Sequence, residues 1–148
     1  MNLQCGDMIL CKNKGLLSRI VKWFTDSEYS HVALVLDEKH LYHTNYNTNL
    51  KITHMIYPRN SYDVYRVIGE YDKDKLQEFI YNNINNKYDF MDIVKIIFRI
   101  NTDDKDNEYI CSELVRRAYE YAGLKLVDDT IKIATPQDIA NSKFIHKL

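Results

Sequence analysis

The side chains best suited to covalent chemistry in this sequence are a cysteine and a histidine in two different kinds of element. Cys111 lies in the word Tyr109-Ile110-Cys111-Ser112-Glu113-Leu114, where it is expected to open a helix. A helix N-terminus presents N–H groups without intrahelical partners, together with the positive end of the helix dipole. Both favour thiolate over thiol, and an imidazole close by can take the proton. The same N–H groups suit the oxyanion of an acyl-transfer intermediate. His31 opens the run HVALVL, which is apolar on both faces as a central strand is. Each residue also has an ordinary reading. Cysteine is among the most buried residue types, and Cys111 falls on the apolar stripe Cys111, Leu114, Val115, Ala118 and Ala122. A histidine at a strand edge can simply be hydrogen-bonded in place.

The elements that must position these residues follow from hydrophobic periodicity. Asp7 to Cys11 reads as a strand after a turn at Gly6, and Leu16, Leu17, Ile20, Val21 and Phe24 predict a helix over 15–25. Strand 31–36 turns at Asp37-Glu38-Lys39 and returns through Leu41 to Tyr46. Segments 50–56 and 62–68 supply two further strands around a turn at Tyr57-Pro58-Arg59-Asn60. The period then changes. Leu76, Phe79, Ile80 and Ile84 mark one helix, and Met91, Val94, Ile97 and Phe98 mark another. The polar run Asn101 to Glu108 has the composition of an exposed loop. On the cysteine helix, Ser112, Glu113, Arg116, Arg117 and Glu120 are left for the solvent face, with Gly123 as the stop. Thr135-Pro136-Gln137-Asp138 reads as a capped helix start. His40, His54 and His146 are expected in a turn, on a strand surface and in a mobile tail, and Cys5 and Cys11 as incidental or core thiols. The expected class is α+β.

Composition narrows the functions open to such a chain. It has 148 residues, with 20 Lys+Arg against 21 Asp+Glu and a formal net charge of −1. That length suits one domain over residues 1–148. Near-neutral charge argues against a strongly basic nucleic-acid binder, so no nucleic-acid partner is expected. The longest apolar run, Val32 to Leu36, is five residues. A transmembrane helix needs about twenty and a secretory leader at least about seven, so the expectation is a cytoplasmic protein without a transmembrane segment. Three cysteines without a CxxC pair predict neither a disulfide framework nor a zinc site. No metal is expected.

The order of the local words adds a resemblance. Gly6-Asp7, then SHVALVL, then CSELV, then TPQDIA follow one another along the chain. This resembles the circularly permuted branch of the NlpC-type papain-like cysteine hydrolases, the YiiX/YebB-like group. In the permuted order the histidine strand precedes the cysteine helix, and here His31 precedes Cys111 by 80 residues. The matching words run from Gly6 to Ala140. The resemblance implies a papain-like α+β fold in which an antiparallel sheet carrying the histidine packs against the cysteine-bearing helix. It implies Cys111 as nucleophile, His31 as base, and a polar third member on the next strand. In the word Leu41-Tyr42-His43-Thr44 that member is His43. Asp7 matches the family's Gly-Asp word, which suggests a structural role or a place at the rim of the site rather than a catalytic one. Tyr109 is near enough in sequence to border it, with packing as the alternative.

Hairpin geometry bears on the third member. A three-residue loop Asp37–Lys39 pairs Leu36 with His40 and sets His31 opposite Asn45. His43 is then the same-face diagonal neighbour, at roughly 7–8 Å, and Asn45 is an alternative. A four-residue loop would turn His43 to the other face. The implied reaction is acyl transfer at an amide or ester, without metal or organic cofactor. Its substrate would be a peptide, an N-acyl amide or a lipid-like small molecule, and the apolar segment 89–100 is either an acyl pocket or a core helix. The other class open to the chain is a non-catalytic ligand-binding module that retains the fold.

Overall fold

The computed structural model describes residues 2–12, 28–43, 51–55, 57–85 and 106–148. Among them six strands form one sheet: β1 (Met8–Lys12), β2 (Tyr29–Val35), β3 (His40–His43), β4 (Lys51–His54), β5 (Tyr62–Val67) and β6 (Ile145–Lys147). Their order is β4-β3-β2-β1-β5-β6, and every neighbouring pair is antiparallel. Three α-helices are described, α1 (Lys73–Asn85), α2 (Asp106–Tyr121) and α3 (Pro136–Ala140). The fold is α+β, with the strands mostly ahead of the helices. The helices expected over 15–25 and 91–98, and segment 89–100, lie outside the described residues.

Alternation along the two central strands divides their side chains between two cores. Met8, Leu10, Val32 and Leu34 pack with Leu76 and Ile80 of α1 and with Cys111, Leu114, Val115 and Ala118 of α2. Ile9, Cys11, Ala33, Val35, Leu41 and Val64 form the second core on the opposite face. A strand buried on both faces has no solvent side to fill with polar residues, which is why HVALVL shows no alternation.

Helix ends follow local sequence closely. At Gly123 the backbone has φ 92°. Its N–H donates to the Glu120 carbonyl at 3.0 Å, and the Leu124 N–H donates to that of Tyr119 at 2.8 Å. This is the paired arrangement in which a left-handed glycine closes a helix. Thr135 caps α3 reciprocally with Asp138, and Pro136 takes the first position.

Four expectations are corrected. The run Asn101 to Glu108 is not wholly a loop, because α2 begins at Asp106. Ser112 and Glu113 are buried rather than solvent-facing. The chain after α2 folds back over them: Ser112 Oγ donates to the Ala134 carbonyl at 2.6 Å, and the Ala134 N–H donates to Glu113 Oε1 at 2.8 Å. Arg116 donates to the Ile131 carbonyl at 3.0 Å and pairs with Glu113 and Glu120. Finally, His146 lies in β6, which pairs with β5 and buries Ile145, and His40 begins β3.

Candidate active site

The β2–β3 hairpin sets the core of the site. Leu34 pairs with Tyr42 and Val35 with Leu41, and the Leu36 N–H donates to the His40 carbonyl at 3.0 Å. The Asp37–Lys39 loop therefore has three residues, stabilised by the Asp37 carboxylate accepting from the Lys39 and His40 N–H groups. That register places His31 and His43 on one face. Their ring centres are 5.5 Å apart and the rings meet edge to face at 79°. Asn45, the alternative third member, lies outside the described residues.

The environment of the pair is enclosed. His43 is 3% exposed, and its Nε2 lies 2.9 Å from Thr53 Oγ1 on β4. His31 Nε2 and His43 Nδ1 are both buried and lack hydrogen-bond partners among the described residues. Burial, with a smaller contribution from His43, pulls the His31 pKa down to about 4. Burial and then the Lys51 ammonium lower that of His43. Both imidazoles are neutral at pH 7.

A thiol and a phenol complete this face. Cys11 is the cross-strand partner of His31 and shares its side of the sheet. Burial raises the Cys11 pKa to about 11, against a hydrogen bond from Tyr57. The Tyr57 ring lies 6.4 Å from that of His31. Its own pKa is raised by burial first, then by Cys11, and also by Cys111. Tyr57 is thus within electrostatic reach of both thiols.

Cys111 comes to the same end of the sheet from the helix side. The Tyr119 hydroxyl donates to the Gly6 carbonyl, and the Gly6 N–H donates to Val35, so the end of α2 lies over the Val35 end of β2. Cys111 acts electrostatically on Tyr57, whose ring lies 6.4 Å from that of His31. Cys111 and His31 nevertheless belong to different faces: Cys111 is fully buried in the helix-side core, whereas His31 keeps the face of Cys11 and Ala33. A bulge intervenes just before His31, because Cys11 pairs with His31 but Lys12 pairs with Tyr29, leaving Ser30 as the extra residue.

The helix-start argument for Cys111 is corrected. Five residues of α2 precede it, and an N–H at that depth is directed to the carbonyl four residues earlier. The unpartnered N–H groups belong to the turn before Cys111. Asp7 is not brought to the histidines either. It occupies the opposite end of β1, where Arg66 donates to Oδ1 at 2.8 Å and Oδ2 at 2.7 Å. Tyr109 lies in α2, and its side chain is outside the described residues. Two residues at the site escaped the sequence reading. Tyr57 sits in a turn and carries no periodic signal. Thr53 was within reach of parity alone, since it lies opposite Leu41 and so on the face of His43.

An antiparallel sheet with a histidine on a central strand, ahead of a cysteine-bearing helix, defines a permuted papain-like protein. The family model of permuted papain-like amidase enzymes, YaeF/YiiX, C92 family, matches residues 2–144, and the chain belongs to that family. It is also similar to the crystal structure of metalloprotein YiiX from Escherichia coli O157:H7. The identity is 20% and the TM-score 0.64, with 100% of this chain and 97% of that one covered. No curated protein matches the chain. Among the described residues no three His, Cys, Asp or Glu side chains gather to hold a metal ion. No helix among them is long and apolar enough to cross a membrane.

Proposed function

We propose that the chain is a cysteine amidase of the NlpC-type branch, with Cys111 as nucleophile, His31 as base and His43 as third member. The observation that carries this reading is the enclosed His31–His43 pair in a chain of an amidase family. His31 takes the thiol proton as the sulfur attacks an amide or ester carbonyl. The imidazolium then protonates the leaving group, and water cleaves the thioester. With a pKa of about 4, His31 rests neutral beside a thiol, so proton transfer accompanies attack rather than preceding it. The reaction requires the His31 ring to turn from the Cys11 face toward α2. The Ser30 bulge is the feature that suits this, because bulges relax alternation and re-aim neighbouring side chains. The substrate class is a peptide or an N-acyl amide, lipid-like acyl chains included. A reducing cytoplasm suits the three free cysteines.

A second reading takes Cys11 as the reacting thiol, because it is the direct cross-strand partner of His31. Burial holds the Cys11 thiol at a pKa of about 11; Cys111 is preferred because it stands in the CSELV word that carries the family resemblance.

The test is turnover of a short peptide amide, a cell-wall peptide and an N-acyl amide by the purified protein. Release of amine from at least one is expected, with a loss of about 10³-fold or more in His31→Ala and little change in melting temperature. Turnover that survives His31→Ala would overturn the mechanism. Substrate binding without turnover would favour the non-catalytic binding module.

A further inference from the structure

We infer that Thr53 is a positioning residue: its hydroxyl fixes the tautomer of His43, and through His43 the orientation of His31. This rests on the reading of His31 as base and His43 as its partner. Thr53 pairs with Leu41 across β3 and β4, and so shares the face of His43, two residues on. Its Oγ1 is 2.9 Å from His43 Nε2. A neutral imidazole carries one donor and one acceptor nitrogen, whereas a hydroxyl serves as either. The site leaves two enclosed ring nitrogens without partners, His31 Nε2 and His43 Nδ1. They lie on adjacent rings with centres 5.5 Å apart. Two imidazoles joined by an N–H···N bond have centres roughly 5 Å apart, from a ~2.9 Å bond and the two ring radii.

The two nitrogens are not bonded to each other as the rings stand, and a small ring rotation would join them in one arrangement. His43 Nε2–H donates to Thr53 Oγ1, which leaves a lone pair on His43 Nδ1. After that rotation His31 Nε2–H would donate to the lone pair, leaving His31 Nδ1 as the base for the thiol proton. Reversing the Thr53 bond would put a proton on His43 Nδ1 and leave it nothing to offer His31 Nε2–H. Lys51, the cross-strand partner of His43, disfavours an imidazolium there, so the variable that Thr53 controls is the tautomer and not the charge.

The experiment is imidazole ¹⁵N NMR at pH 7.5 on wild type, Thr53→Val and Thr53→Ser, with kcat and KM on whichever amide is turned over. Wild type should show His43 as the Nε2–H tautomer. Thr53→Val should show a mixture, with kcat down about tenfold or more and KM little changed, and Thr53→Ser should restore both. His43 found as Nδ1–H in wild type, or a tautomer and kcat unmoved by Thr53→Val, would overturn the inference. If Thr53→Val does not fold, Thr53→Ala takes its place under the same criteria. If no amide is turned over, the amidase reading fails, while the NMR comparison still decides for or against Thr53.

Discussion

The two ends of β1 treat buried polar groups in opposite ways. At the Gly6 end, Asp7 is 2% exposed and its carboxylate accepts from Arg66 twice and from the Gln4 N–H. Around it Tyr119 donates to the Gly6 carbonyl, and Gly6 has φ 91° where a Cβ would collide with Tyr71. At the Cys11 end, His31 and His43 each hold an enclosed nitrogen without a partner among the described residues. A satisfied network fixes one arrangement of the chain, whereas an unsatisfied buried group costs stability. Asp7 therefore serves the fold. The histidines keep ring nitrogens that no partner fixes among the described residues, which leaves them open to proton exchange.

The contrast can be broken from the satisfied end. Arg66→Met strands the Asp7 carboxylate, and chemical denaturation should show a loss of about 3 kcal/mol; adding Asp7→Asn should recover part of it. Stability unaffected by Arg66→Met would mean that the pair is not what holds this end.

Acid tests the other end. The unfolded chain protonates a histidine near its ordinary 6.5, whereas folded His31 does so at about 4. Between those values the unfolded state binds more protons. The His31 contribution is thus present above about pH 6.5 and lost as pH falls toward 4, on the order of 2 kcal/mol. Denaturation curves at pH 7 and pH 4.5 should show that loss in wild type and not in His31→Gln; an equal loss in both would assign it elsewhere.

Smaller effects sharpen the comparison. Ser112→Ala removes a 2.6 Å buried hydrogen bond and should cost about 1 kcal/mol in the same assay. His43→Phe gives up one hydrogen bond but also removes the orphan Nδ1, so melting should shift by less than about 0.5 kcal/mol equivalent. A cost for His43→Phe as large as that of Arg66→Met would erase the distinction between the two ends.

Local rules made much of this legible beforehand. The three-residue loop determines the β2–β3 register and so places His43 beside His31. The Gly123 stop and the Thr135 cap follow from backbone chemistry within a few residues. What escaped depends on distant chain. Ser112 and Glu113 look solvent-facing by helical period, and only the returning segment through Ala134 buries them. The short β6 acquires its strand character from pairing with β5, which no local pattern announces. The start of α2 was placed too late because acidic residues suit a loop and a helix N-terminus alike. The face of His31 relative to Cys111 depends on sheet-helix packing, and sequence order carries no information about it.

The central claim is that the thiol on α2, not the one across the strand from His31, does the chemistry. Cys111→Ser and Cys11→Ser, assayed side by side on one amide at pH 7.5, test it most directly. The account predicts that Cys111→Ser loses turnover by about 10³-fold or more while Cys11→Ser retains it within a few fold. Full turnover in Cys111→Ser with loss in Cys11→Ser would contradict it.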